Sequence, residues 1–125
     1  MATKKKVLII DDERSFTGLL RTNLDRGGAY EVLEENDSRK ALEVARAFKP
    51  DIILLDVVMP NMDGGQVLAA LQADKDLKQT PVIFLTATIS RQGLDARGHK
   101  IANFPFLAKP FDLKDLEKLI KKQIR

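Results

Sequence analysis

Five polar residues follow directly on oily runs in this chain: Asp11 and Asp12 after VLII, Asp56 after IILL, Thr86 after VIFL, and Lys109 after FLA. Carboxylates crowded together repel, so a cluster of three is unfavourable until a cation or a proton compensates it. A hard divalent ion held by oxygens is the simplest compensation, and Mg2+ suits a site of one or two carboxylates with water or phosphate filling the rest. A hydroxyl can hydrogen-bond a phosphoryl oxygen, and a lysine ammonium is a point charge for phosphate. Together these groups describe phosphoryl chemistry, with an Asp carboxylate as nucleophile. Each residue alone has a plainer reading: an Asp as a turn residue or helix cap, Thr86 as an ordinary strand end, Lys109 as a solvated charge. Their joint placement at the ends of successive runs is what favours chemistry.

Those residues need elements to bring them together. Apolar runs recur at VLII 7–10, YEVLE 30–34, DIILLD 51–56, PVIFLT 81–86 and FPFLA 104–108. Between them the apolar spacing is helical: Phe16, Leu19, Leu20 and Leu24; then Ala41, Leu42, Ala45 and Phe48; then Val67, Leu68 and Leu71. After the fifth run, Leu113, Leu116, Leu119, Ile120 and Ile124 form a last stripe. Ser38 occupies a helix N-cap position, Asp112 with Asp115 reads as a capping box, Gly27 and Gly28 end the first helix, and Pro50 ends the second. One short helix is expected within 90–103, interrupted by Gly93 and Gly98. Strand and helix alternate five times, which predicts an α/β fold: a doubly wound five-stranded parallel sheet in the flavodoxin-like order 2-1-3-4-5, helices on both faces. In that order the first and third strands are neighbours at the point where strand order reverses, where ligands bind. Asp11, Asp12 and Asp56 should therefore meet at one edge.

The 125 residues suit a single domain, expected over 1–125 with no output domain in this chain. The absence of cysteine excludes disulfides, thiolate metal sites and cysteine nucleophiles. No apolar run approaches the ~20 residues that span a bilayer, and MATKKKVLII is too short in its apolar part for a signal peptide, so a cytoplasmic protein is expected. The formal charge of +3 is a modest excess without a recognition motif, which argues against nucleic acid as a partner.

Beyond the five residues, the segment DVVMPNMDG at 56–64, Thr86 followed by Ala87, and KPF at 109–111 resemble the receiver domain of a two-component response regulator, closest in length to the single-domain chemotaxis type. The resemblance implies that Asp56 is the phosphoacceptor and that Asp11, Asp12, Asp56 and the backbone carbonyl of Val58 hold Mg2+. It implies that Thr86 and Lys109 contact the phosphoryl group, that Thr86 and Phe106 switch the surface around the fifth strand, and that the Lys109–Pro110 peptide bond is cis. The implied donor is a histidine kinase or His-containing phosphotransfer protein, and the implied output is a downstream protein target. Such a domain is regulatory rather than an enzyme, although it assists its own phosphorylation and dephosphorylation. Met59 is expected as a core plug, Gly64 at positive φ, and His99 in an exposed loop. IANFPFLAKP departs from the family pattern: Ala102 and Asn103 replace its usual Gly-Ala, and Pro105 should leave the fifth strand short or at the sheet edge. Rival readings are a degenerate receiver that acts as an interaction domain, a Mg2+-dependent phosphatase of haloacid-dehalogenase type, and a flavin-binding flavodoxin-like protein.

Overall fold

The computed structural model describes residues 4–86, 104–109 and 111–124, with the side chain of Thr86 outside that set. The expected helix within 90–103, Ala87, His99, Ala102, Asn103 and the Lys109–Pro110 peptide bond lie outside the described residues. The elements run β1 (Lys5–Ile10), α1 (Arg14–Asp25), β2 (Tyr30–Glu35), α2 (Ala41–Phe48), β3 (Ile52–Asp56), α3 (Gly64–Gln72), β4 (Val82–Thr86), β5 (Phe106–Ala108) and α4 (Leu113–Gln123), with one 3-10 turn at Ser38–Lys40.

All four strand pairings are parallel and the order is β2-β1-β3-β4-β5, as the alternation predicts. The β-branched and leucine-rich runs VLII and IILL are buried along their whole length because both sheet faces are covered. Side chains alternate between those faces. Leu8, Ile10, Ile53, Leu55 and Phe84 pack with Ala41 and Ala45 of α2 and Val67, Leu68 and Leu71 of α3. Val7, Ile9, Leu54, Ile83 and Leu85 pack with Leu20 and Leu24 of α1 and Leu116 and Ile120 of α4. Met59 joins the first cluster, as expected of a core plug.

Several local expectations are corrected. Leu19 is 65% exposed, and the buried face of α1 carries Thr17 instead, because Thr17 has polar partners beneath it. Asp37 caps the 3-10 turn by accepting from the Arg39 N–H; Ser38, one position on, donates its hydroxyl to the Pro60 carbonyl. The capping box forms on α3, between Asp63 and Gln66, and not on α4, where Asp112 holds the N-cap backbone without a side-chain cap. Lys49, in the left-handed conformation at φ 54, closes α2 ahead of the buried Pro50. Positive φ in the MPNMDGG loop falls on Asn61, at 70, and not on Gly64. Pro105 does leave β5 both short, at three residues, and at the sheet edge.

Candidate active site

The carboxyl ends of β1 and β3 are adjacent, since Ile10 pairs with Leu55. The residues that follow inherit that proximity: one oxygen each of Asp11, Asp12 and Asp56 lies within 4.8 Å of the other two. Asp11 is fully buried and Asp56 is 7% exposed, whereas Asp12 faces solvent.

Asp11 is pinned on every side. Its N–H donates to the Glu35 carbonyl at 3.2 Å, and its own carbonyl accepts from the Asn36 side-chain amide at 2.8 Å. Its carboxylate accepts from the Glu13 N–H at 2.9 Å and the Lys109 ammonium at 2.7 Å. Asn36 also donates to the Thr17 hydroxyl, which in turn donates to Glu34 at 2.7 Å, so a half-buried polar chain links α1, β2 and the end of β1.

Asp56 is fixed from below by the approach of α3. The Gly64 N–H donates to the Val57 carbonyl at 2.8 Å, and a Cβ at Gly64 would stand 2.5 Å from the Asp56 carbonyl oxygen and 2.9 Å from the Val57 Cα. Glycine is required there by this close backbone approach rather than by conformation. The Val58 N–H hydrogen-bonds the Asp56 carboxylate, while the Val58 side chain is 53% exposed.

Lys109, directly after β5, reaches across the cluster. Its ammonium lies 3.9 Å from Asp56 and 3.9 Å from Glu13, in addition to its short bond to Asp11. It also sits 4.1 Å from the centroid of the Phe16 ring, which meets Phe111 edge-on at 6.1 Å. Thr86 ends β4 opposite Ala108, which brings its backbone to the same edge of the sheet; its side chain is outside the described residues. Phe106 stands at the far end of β5 from Lys109, 42% exposed.

One ammonium does not balance three carboxylates. Burial, and then the neighbouring Asp11 charge, push the Asp56 carboxyl up to about 7, against the pull of Lys109. Burial also raises Asp11, although its bonds to Lys109 and Glu13 oppose the shift. A site that draws protons in this way is short of positive charge. Its donors are all oxygen, as Mg2+ prefers, and ligands about 2.0–2.1 Å from one ion lie within about 4.2 Å of each other. The present set, within 4.8 Å, is close to that span and all oxygen, so these residues fit a divalent ion.

Asp11, Asp12, Asp56 and Lys109 lie together at this edge of the sheet. Phe16, expected only on a core face, and Asn36, not expected at the site, join them. The signal for Asn36 was available: it too is a polar residue directly after a strand.

Comparison with known proteins agrees with this geometry. The profile of the response regulator receiver domain matches residues 7–121. The alkaline phosphatase synthesis transcriptional regulatory protein PhoP of Bacillus subtilis is 35% identical over 121 residues, covering 97% of this chain and 49% of the relative. The DNA-binding dual master transcriptional regulator RpaA of Synechocystis is 32% identical over 120 residues, covering 96% of this chain and 49% of the relative. The chain thus spans about half the length of these curated relatives. Among solved structures, the chemotaxis protein CheY4 of Vibrio cholerae superposes with a TM-score of 0.83 at 30% identity, over 97% of this chain and 99% of that one. Among the described residues no helix is long and apolar enough to cross a membrane.

Proposed function

Because this chain belongs to the response regulator receiver family, we propose that Asp56 accepts a phosphoryl group from a phosphohistidine of a histidine kinase or phosphotransfer protein. The observation that carries the proposal is the state of Asp56. It is a nearly buried carboxylate at a strand end, raised to about 7 by burial and acidic neighbours, with the Lys109 ammonium 3.9 Å away.

In the proposed reaction a carboxylate oxygen of Asp56 attacks phosphorus, the P–N bond to the donor imidazole breaks, and that imidazole takes up a proton as it leaves. The product is an aspartyl phosphate. Asp11, Asp12, Asp56 and the Val58 carbonyl would hold Mg2+. When bound, that ion neutralises charge on the transferred group. Lys109 balances the remaining charge, and the half-buried chain from Glu34 through Thr17 and Asn36 keeps Asp11 in register beside it. The Thr86 hydroxyl contacts the phosphoryl group, and Phe106 repacks in response. The protein then favours one of two states and offers a changed surface around β5 to a downstream protein.

Transcriptional regulators among the relatives are about twice as long as this chain. For these 125 residues we propose protein partners only. The haloacid-dehalogenase reading loses ground because that family spaces its acids as Asp-x-Asp after the first strand. Here they are adjacent and the candidate nucleophile follows β3. The degenerate-receiver reading would require a missing site residue, and each of the five is in the sequence.

The test is labelling from a phosphohistidine donor with Mg2+. Native protein should take up an acid-stable, base-labile label that Asp56→Asn abolishes. Full label on that variant would refute the assignment.

A further inference from the structure

We infer that Phe16 is a positioning residue for phosphoryl transfer, its ring holding the Lys109 ammonium in place while a metal ion claims the carboxylates around it. The inference rests on the reading of Asp56 as phosphoacceptor.

Three anionic groups surround the ammonium: Asp11 at 2.7 Å, and Asp56 and Glu13 each at 3.9 Å. Asp11 and Asp56 also belong to the carboxylate set that fits a divalent ion. An ion seated there draws on the same oxygens, so the pull that those two acids exert on Lys109 weakens at the moment its charge is needed. Glu13 is exposed, at 63% of its side chain, and its attraction is screened by water. The Phe16 ring behaves differently. Its centroid lies 4.1 Å from Nζ, its electron-rich face attracts a cation, and it offers no lone pair for a metal to take.

The ring is also held still. Phe111 meets it edge-on at 6.1 Å with planes 88° apart, and Phe16 packs against the core that α1 and α4 share. Lys109 itself is only 16% exposed on its side chain, so the ring contact operates with little water between the partners. Both aromatic residues flank chemistry without touching the reacting atoms, which is why the role is positioning. A purely structural Phe16 would need only its volume and apolar surface.

Ring fluorination separates the two roles, because each fluorine drains the ring's electron-rich face while barely changing its size. Phenylalanine bearing one, two or three ring fluorines is installed at position 16, and labelling is followed with acetyl phosphate and Mg2+. A small donor is chosen because exposed Leu19 lies on the same helix and a protein donor could press on that surface. The labelling rate should fall stepwise across the series, by about 2- to 30-fold in total. Phe16→Trp should keep the native rate, and Phe16→Leu should fall at least as far as the trifluoro protein. A second readout needs no turnover. The Lys109 ε-methylene protons should resonate upfield from ring shielding, stay there when Mg2+ is added, and return to ordinary positions in Phe16→Leu. A native protein that labels normally with a flat fluorine series would overturn the inference alone. So would ε-methylene resonances that leave the upfield region on Mg2+ addition. A native protein that takes no label would remove the phosphoacceptor reading, and the inference with it.

Discussion

Removing the Asp56 charge should stabilise the metal-free protein, by an amount that depends on pH. Its carboxyl is raised from 3.8 to about 7, so the folded state holds a proton on Asp56 more tightly than the unfolded chain does. Stability from this group is therefore fully present below about pH 4, declines as pH rises towards 7, and is flat above that. A shift of about three units is worth roughly 4 kcal/mol at most. The cleft opens to water beside exposed Asp12, and screening there reduces the figure to about 2 kcal/mol. Asparagine keeps the shape and loses the titration. In urea unfolding with a chelator present, Asp56→Asn should exceed the native protein by about 2 kcal/mol near pH 8 and match it near pH 4. Adding Mg2+ at a hundred times its Kd should return about 2.7 kcal/mol to the native protein and much less to the variant. If the variant is less stable than native near pH 8, or if the difference does not change with pH, the account of uncompensated charge fails.

Lys109→Met should act in the opposite sense, since it strips the fully buried Asp11 of its 2.7 Å partner. A loss of about 3 kcal/mol is expected near pH 8, and a smaller one near pH 5 where the acids take up protons, measured by denaturant midpoint. Gly64→Ala puts a methyl 2.5 Å from the Asp56 carbonyl oxygen. It should cost about 1–3 kcal/mol and slow labelling of Asp56 together; retention of both would show that α3 can back away. Leu19→Ala should change stability by less than about 0.5 kcal/mol, whereas Leu20→Ala, its buried neighbour, should cost about 2–4 kcal/mol in the same unfolding assay.

Architecture was readable from the sequence because it depends on repetition. Five apolar runs of strand length, separated by stretches of helical period, admit few arrangements, and handedness and parallel pairing narrow them further. The acids were readable for a related reason: a charged residue cannot drift far when the strand before it is buried on both faces. Local contacts were less legible because neighbouring residues compete for the same role. Asp37 and Ser38 both suit a cap, and only the position of Pro60 decides which of them turns elsewhere. Leu19 and Leu20 both suit a helical stripe, and the placement of α1 over β2 decides which faces water. Gly64 carried the correct residue type under the wrong reason, because a clash with another element has no local trace. Phe16 escaped notice because its partner lies 93 residues away, on a segment whose path only the folded sheet defines.

The two halves of the site are mounted on supports of very different strength. Asp11 and Asp56 extend from β1 and β3, whose last four and five residues are wholly buried, while Lys109 extends from an edge strand joined to β4 by three register pairs. Amide hydrogen exchange should therefore be slowest beneath the acids and fastest along Phe106–Ala108. The negative groups are thus set by strands covered on both faces, while the cation, carried by a three-residue edge strand, owes its position to the side chains around it, Asp11 and the Phe16 ring above all.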